Sequence, residues 1–232
     1  MKIGFISDIH GNLEALTAAL QSLEKRKVDR LYCLGDVVGY GANPSECLEL
    51  MREKAEILLL GNHDAAVAGI ENLEHFNPYA REAAILTQRI LSPEQRRFLA
   101  GWPYEEIRGE MHLVHSAPAR PQAWDYLFSA LDAYHQFPFA KGLDCFVGHS
   151  HVPGVYREGA AGGGKEVGRR IINIGSVGQP RDGDSRLCFV IYDEESRDVQ
   201  IVREEYDIEN ASRKILEAGL PPFLAQRLYF GQ

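Results

Sequence analysis

The chain has 232 residues, of which 45% are hydrophobic and 25% charged, values that are ordinary for a globular protein with one α/β domain or two small ones. Its formal net charge of −8 argues against long nucleic acids as partners, because their phosphates require a basic surface. No apolar run approaches the roughly 18 residues that cross a bilayer. The N-terminus is too short and too soon polar for a signal peptide, so we expect a cytoplasmic protein that is not bound to a membrane.

The first 60 residues alternate between short apolar strands and helices. Strands are predicted at 3–7, 31–34 and 57–60, with helices over 12–25 and from Pro44 to about residue 53 between them. This β-α-β-α-β order predicts a parallel sheet covered by helices.

The remainder of the chain begins with a mostly helical stretch, 64–101, in which Ser92 and Gln95 form a capping box. Short turns between the strands that follow predict a second, more antiparallel sheet. We expect helices near 209–218 and 221–230, a single domain over 1–232, and a cap formed by 64–101. The predicted strands after residue 101 are 104–108, 111–115, 143–147, 155–158, 171–174, 187–193 and 199–205.

The four cysteines contain no CxxC pair, so we interpret them as small buried hydrophobic residues rather than zinc ligands or redox groups. The glycine-rich run at 159–166 almost matches a phosphate-binding loop, but Glu166 occupies the position where serine or threonine is needed. We therefore predict a hairpin tip there.

Residues that can bind a metal follow five of the predicted strands. In sheets of this kind, ligands bind in the crevice beyond the carboxyl ends of the strands. Five strand ends that supply aspartate, asparagine and histidine to one edge therefore indicate a metal site. The five segments are SDIH at 7–10, GD at 35–36, GNHD at 61–64, HS at 115–116 and GHSH at 148–151.

The spacing within these segments has a physical reason. Alternate side chains of an extended segment share one face, so Asp8 and His10, or His149 and His151, can face one region together. Carboxylate, amide and imidazole ligands without a thiolate suit manganese, iron, zinc, nickel or cobalt.

The order and spacing of these segments resemble those of the calcineurin-like metallophosphoesterases. The similarity is strongest to their compact bacterial phosphodiesterase branch, which is related to diadenosine tetraphosphatases, and INIGSVGQPR at 172–181 extends it. The resemblance implies an α/β fold, a four-layer αββα sandwich with two mixed β-sheets flanked by helices.

The resemblance also implies two divalent cations, with manganese foremost and iron, zinc, nickel or cobalt as alternatives. A hydroxide that bridges the metals would attack phosphorus, and the substrate would be a small phosphodiester or a nucleotide. One metal would be held by Asp8, His10 and His151, the other by Asn62, His115 and His149, with Asp36 bridging the two.

Two residues beside these ligands are candidates for catalysis. His63 is expected to protonate the leaving group, since imidazole titrates near neutral pH; its alternative role is to orient a metal ligand. Asp64 is the second candidate, and we expect it to orient a neighbour rather than to react.

Asn62 and Arg181 are the candidates for binding the substrate. A guanidinium at position 181 could hold a phosphate through two hydrogen bonds. A salt bridge to Asp182 or Asp184 is the alternative for Arg181.

Two other functions compete with phosphoester hydrolysis. A non-catalytic scaffold on the same fold is the main alternative, and it predicts the loss of metal ligands. A metal hydrolase that acts on amides fits poorly with the Asn62–His63 pair. Trp124 is expected either to pack in the core or to contact the substrate. The sequence is compatible with a homo-oligomer as well as with a monomer.

Overall fold

The structure, a computed structural model, describes residues 1–159 and 168–232. Most of the glycine-rich run at 159–166 lies outside the described residues. Each predicted strand overlaps an observed one. The strands are β1 (Lys2–Ile6), β2 (Arg30–Cys33), β3 (Ile57–Leu58), β4 (Glu105–Arg108), β5 (Met111–Val114), β6 (Asp144–Val147), β7 (Gly154–Arg157), β8 (Arg170–Asn173), β9 (Leu187–Asp193) and β10 (Asp198–Glu204).

The helices begin where the sequence provides caps. The Asn12 side chain accepts a hydrogen bond from the N–H of Ala15 at the start of the first helix, and the predicted capping box of Ser92 and Gln95 is formed. The helix at 130–136 was not predicted. The helices are α1 (Leu13–Lys25), α2 (Pro44–Lys54), α3 (Asn62–Ala68), α4 (Pro78–Ile90), α5 (Pro93–Ala100), α6 (Ala130–Gln136), α7 (Ile208–Glu217) and α8 (Pro222–Gln226).

The strands form two mixed sheets of five strands each. Sheet 1 has the order β10-β9-β1-β2-β3 and sheet 2 the order β4-β5-β6-β8-β7. Each sheet contains two parallel and two antiparallel pairings. The first three strands pair in parallel, as predicted, but the prediction that the later strands form a separate, more antiparallel sheet is wrong. The reason is that β9 pairs with β1, Lys2 opposite Asp193, and so adds the β9-β10 hairpin to sheet 1.

The two sheets pack face to face through an aromatic core. Phe5 of β1 stacks on Phe146 of β6, with ring centroids 4.0 Å apart and an interplanar angle of 6°. On the outer side of sheet 1, buried Ile6 packs with Leu16 of α1 and Leu48 of α2. The layers are thus helices, sheet, sheet and helices, and the predicted four-layer fold is confirmed.

The cysteines are free thiols buried in these layers, as predicted. Burial raises the pKa of the Cys188 thiol to about 12 and that of the Cys33 thiol further above its usual range. These thiols are therefore protonated at neutral pH, which suits packing and not metal binding.

A buried aspartate connects the two sheets. Asp144 of β6 accepts hydrogen bonds from the Tyr192 hydroxyl of β9 at 2.8 Å, from Arg170 Nε at 2.6 Å and from Arg197 Nη2 at 2.8 Å. Burial opposes ionisation of this carboxyl group, but the bonds from Arg197 and Arg170 outweigh burial and lower its pKa to about 2.

Replacing Asp144 with asparagine is expected to lower the free energy of unfolding by about 3–5 kcal/mol, because Arg170 would stay buried without a counter-charge. Since the folded-state pKa lies below the ordinary value, the contribution of Asp144 is present above about pH 4 and is lost as the pH falls towards 2. Urea unfolding from pH 6 to pH 2 measures both effects. The exposed Asp198→Asn serves as the control. An Asp144→Asn variant as stable as the wild type would contradict this account.

Candidate metal centre

The loops that follow the strands are held together by main-chain hydrogen bonds. The N–H of Asp8 donates to the carbonyl of Gly35 at 3.0 Å, and the N–H of His10 donates to the carbonyl of Asp36 at 2.9 Å. The N–H of Gly148 donates to the carbonyl of His115 at 2.9 Å. Segments far apart in sequence are thereby fixed at one edge of the two sheets.

Five of the predicted metal ligands have a left-handed backbone conformation, which non-glycine residues rarely adopt. Such conformations cost free energy and are concentrated at functional sites. They turn the chain sharply after each strand, so that side chains point into the space between the loops. The residues and their φ angles are Asp8 (54°), His10 (50°), Asp36 (51°), His149 (64°) and His151 (60°).

The side chains of these residues form buried clusters whose potential ligand atoms lie within 4.8 Å of one another. Asp36 belongs to two of the clusters, and its Oδ2 lies 3.7 Å from His10 Nε2 and 3.5 Å from His115 Nε2. This position between two groups of histidines fits the bridging role that we predict for it. The clusters are Asp8, His10 and His151; His10, Asp36 and His63; and Asp36, His115 and His149.

Each of the four predicted histidine ligands is oriented by a main-chain carbonyl. A carbonyl oxygen only accepts hydrogen bonds, so the ring nitrogen facing it must carry the proton. The other nitrogen is then the one that can offer a lone pair to a metal once the ring is neutral. Burial opposes protonation of His115, but the charge of Asp36 outweighs burial and raises the pKa of this imidazole to about 9, so metal binding there would displace a proton. The pairs are His10 Nδ1 to Val38 (3.2 Å), His115 Nδ1 to Leu34 (2.9 Å), His149 Nε2 to Trp124 (2.8 Å) and His151 Nδ1 to Gln179 (2.6 Å).

Several buried polar atoms of the site fit a bound cation. Asp8 Oδ1, Asn62 Oδ1 and His115 Nε2 have no hydrogen-bond partner among the described residues. The Nε2 atoms of His10 and His151 face each other at 3.2 Å. Since both rings use Nδ1 to donate, two lone pairs meet there, which is unfavourable without a cation or a proton between them.

The charges of the site also suit cations. Burial opposes ionisation of Asp8 and Asp36, but the neighbouring histidines outweigh it and hold the pKa of both carboxyl groups well below the usual range. Burial lowers the pKa of His149 to about 3, so this ring is neutral near pH 7. Two carboxylates and a neutral imidazole are thus ready to bind cations.

His63, in the first turn of α3, belongs to the cluster with His10 and Asp36. Its ring centroid is 4.8 Å from that of His10 and 4.4 Å from that of Tyr40, and its Nδ1 has no hydrogen-bond partner among the described residues. The main-chain N–H of His63 donates a hydrogen bond to Asp36 Oδ1 at 2.8 Å. Burial lowers the pKa of the imidazole to about 4, so the ring is neutral at pH 7 until an anion lies near it.

Asp64 turns away from the clusters towards the main chain. Its carboxylate accepts hydrogen bonds from the N–H groups of Val38 at 3.1 Å and Gly61 at 3.3 Å. Burial, together with the charge of Asp36, raises its pKa to about 8. These contacts fix the loops around Asp36 and fit the orienting role, and they bring Asp64 into none of the described clusters.

Arg181 donates to Gln179 Oε1 at 2.8 Å. The alternative salt bridges are not formed among the described residues, because Asp182 pairs with Arg203 and Asp184 with Arg186. The guanidinium therefore stays available for an anion.

A cavity of about 410 Å³ adjoins the clusters, and its wall combines the predicted site residues Asn62, His63 and His149 with an aromatic side that sequence patterns did not reveal. Tyr126 stacks on His149, with ring centroids 4.1 Å apart and an angle of 18°, and Trp124 supplies the carbonyl that orients the same histidine. An aromatic residue in a proline-rich loop was the only signal in the sequence, and it suits packing equally well. The lining residues are Tyr40, Asn62, His63, Glu71, His75, Phe76, Asn77, Ala80, Gln122, Ala123, Trp124, Tyr126 and His149.

Comparison with known proteins identifies the family. The model of the calcineurin-like phosphoesterase superfamily domain matches residues 1–197. The chain belongs to the calcineurin-like phosphoesterase superfamily. It is 42% identical to the uncharacterized protein MJ0912 of Methanocaldococcus jannaschii, over 99% of this chain and 98% of that protein.

Two solved structures share the fold over the whole chain. A metallophosphoesterase from Sphaerobacter thermophilus is 41% identical, with a TM-score of 0.89 over 100% of this chain and 99% of that one. The hypothetical protein PH1004 of Pyrococcus horikoshii has a TM-score of 0.84 at 20% identity, covering 100% of this chain and 98% of its own. Within the described residues of this phosphoesterase, we find no helix long and apolar enough to cross a membrane.

Gly148 leaves room for a predicted ligand of this phosphoesterase. A Cβ atom there would lie 2.5 Å from Ser7 Oγ and 2.6 Å from Asp8 Oδ2. We expect Gly148→Ala to displace Asp8 and to weaken manganese binding by about 10–100-fold, as measured by calorimetric titration. Gly101→Ala is the matched control, because its nearest neighbour would be 3.5 Å away. Equal manganese affinity of the two variants would argue against Asp8 as a ligand.

Proposed function

We propose that this phosphoesterase hydrolyses a small phosphodiester or nucleotide-type substrate with two divalent cations, manganese foremost. The observation that carries the proposal is the position of Asp36 between two groups of buried histidines. Iron, zinc, nickel and cobalt suit the same nitrogen and oxygen ligands. In this proposal, residues 1–232 form a single domain that carries the whole catalytic site.

Two of the three clusters support the proposed division of the ligands. Asp8, His10 and His151 would hold one ion, Asn62, His115 and His149 would hold the other, and Asp36 would serve both. Asn62 belongs to no cluster, but its Oδ1 has no hydrogen-bond partner among the described residues. When bound, two such cations polarise phosphoryl oxygens and lower the pKa of a shared water towards neutrality, which supplies the nucleophile.

Three side chains act on the substrate in this proposal. The Asn62 amide and the Arg181 guanidinium hold phosphate oxygens and orient the ester bond. His63 gives its proton to the leaving oxygen, once the anionic substrate has raised the pKa of a ring that burial holds near 4. Asp64 keeps the loops around Asp36 in place through its two main-chain hydrogen bonds.

The cavity supports a substrate of limited size. Its volume of about 410 Å³ suits a small organic group and not a folded protein partner. Glu71, His75, Phe76, Asn77 and Ala80, which line it, come from the stretch that we predict to be a cap. We propose that this part of 64–101 narrows access to the metal centre.

A metal-reconstituted screen tests the proposal. The purified protein is incubated with each first-row divalent cation and with phosphomonoesters, bis-p-nitrophenyl phosphate, cyclic nucleotides and dinucleoside polyphosphates. We expect turnover of at least one phosphodiester with manganese, and none after chelation. The absence of turnover with every cation and every ester would favour the non-catalytic scaffold.

A further inference from the structure

Two arginines flank a buried tyrosine beside the metal centre. The guanidinium carbons of Arg181 and Arg227 each lie 5.9 Å from the centroid of the Tyr40 ring. That ring is also 4.4 Å from the ring of His63 and 4.8 Å from that of His10. The two positive charges therefore adjoin the place where we propose that phosphate is hydrolysed.

Among residues 1–159 and 168–232, neither arginine has an acidic side chain as a partner. Within the part of the chain that the structure describes, no aspartate or glutamate lies within 4.0 Å of either guanidinium. Arg181 donates to the neutral Gln179 side chain, and Arg227 uses Nε to donate to the main-chain oxygen of Gln232. The remaining N–H groups of Arg227 have no acceptor among the described residues.

The Tyr40 ring attracts both cations, but among the described residues neither guanidinium has an acidic side chain to balance its charge. Two like charges are held close to one ring, partly shielded from water, in a chain whose net charge is −8. Burial and the charge of Arg181 lower the pKa of Arg227 to about 10. The Arg227 guanidinium nevertheless stays charged at neutral pH, so a bound anion would offset this unbalanced positive charge.

We infer that Arg181 and Arg227 form a subsite for a second phosphate group of the substrate, joined to the phosphate that is hydrolysed. Guanidinium groups bind phosphate oxygens through pairs of N–H donors, which a lysine cannot reproduce. This inference rests on the proposed function and narrows its substrate to esters with at least two phosphates. Arg227 lies beyond residues 1–197, the part of the chain that matches the family model.

Two matched esters test the inference, the p-nitrophenyl esters of thymidine 5′-monophosphate and thymidine 5′-diphosphate. They share nucleoside and leaving group and differ by one phosphate. With the manganese-loaded protein, we expect the diphosphate ester to have the higher kcat/KM. Arg227→Gln should lower that value by about 10–100-fold, through KM, and change kcat/KM for the monophosphate ester less than about threefold.

Two further variants separate recognition from folding. Arg213→Gln removes an exposed arginine that pairs with Glu217, and it should leave both esters unaffected. Arg227→Lys retains the charge without the planar donors and should restore the diphosphate preference only in part. Equal kcat/KM for the two esters in the wild type, or an equal loss for both in Arg227→Gln, would overturn the subsite.

If the loaded protein hydrolyses neither these esters nor any ester of the wider screen, the proposed function fails, and the subsite is measured directly. Esters that are not hydrolysed can be titrated calorimetrically against the same manganese-loaded protein. Tighter binding of the diphosphate ester, lost in Arg227→Gln, would then support the subsite without the activity. Equal affinities for the monophosphate and diphosphate esters would reject the subsite as well as the activity.

Discussion

Replacing Asp36 with alanine is expected to remove both metal ions and to lower phosphodiester turnover by about 10³-fold or more. The carboxylate lies between His10 and His115, within 3.7 Å and 3.5 Å of their Nε2 atoms, so its loss affects both proposed ion positions. Asp36 also accepts a hydrogen bond from the main-chain N–H of His63 at 2.8 Å. The substitution removes this bond and so also weakens the order of the first turn of α3.

Elemental analysis after manganese reconstitution measures the first effect, and p-nitrophenol release the second. Asp198→Ala is the control, because this aspartate is exposed on β10 and far from the clusters in sequence and sheet order. Asn62→Ala should lose only one ion, since Asn62 is assigned to one position. Two equivalents of manganese in Asp36→Ala would show that the ligand assignment is wrong.

Much of the fold could be predicted because short apolar strands and their polar ends leave local signals. The run at Lys2–Ile6 is buried after its first residue, as a central strand requires, and Asp8 and His10 follow it directly. Which sheet a strand joins depends on partners distant in sequence. The sequence therefore does not place the β9-β10 hairpin, since the continuous apolar run in Leu187–Asp193 does not tell whether β1 or β8 is its neighbour.

The sequence allowed us to predict which residues form the site. It did not show how their side chains are oriented or which residues surround them. Carboxylates and imidazoles at strand ends indicated a metal site, but nothing local showed that His149 would be oriented by the carbonyl of Trp124. The same holds for Tyr126, which stacks on His149 from a loop without regular structure. Arg227 could not be linked to the site at all, because only the folded chain brings residue 227 to Tyr40.

Replacing His63 with alanine is expected to separate metal binding from catalysis. Its ring belongs to a cluster with His10 and Asp36, yet its Nδ1 has no partner among the described residues. If His63 protonates the leaving group, His63→Ala should keep both manganese ions. Turnover should fall by about 10²–10⁴-fold, most for esters with poor leaving groups.

The pH dependence distinguishes this role from support of a ligand. Burial lowers the pKa of His63 to about 4 in the free protein, and a general acid loses activity as the pH rises above its pKa. An anionic substrate beside the ring raises that pKa, so the descending limb of kcat should lie at higher pH than that of kcat/KM. The limb should vanish in His63→Ala. His75→Ala, which changes another histidine of the cavity wall, should retain it. An equal loss of activity for good and poor leaving groups, together with lost manganese, would instead make His63 a residue that orients the metal site.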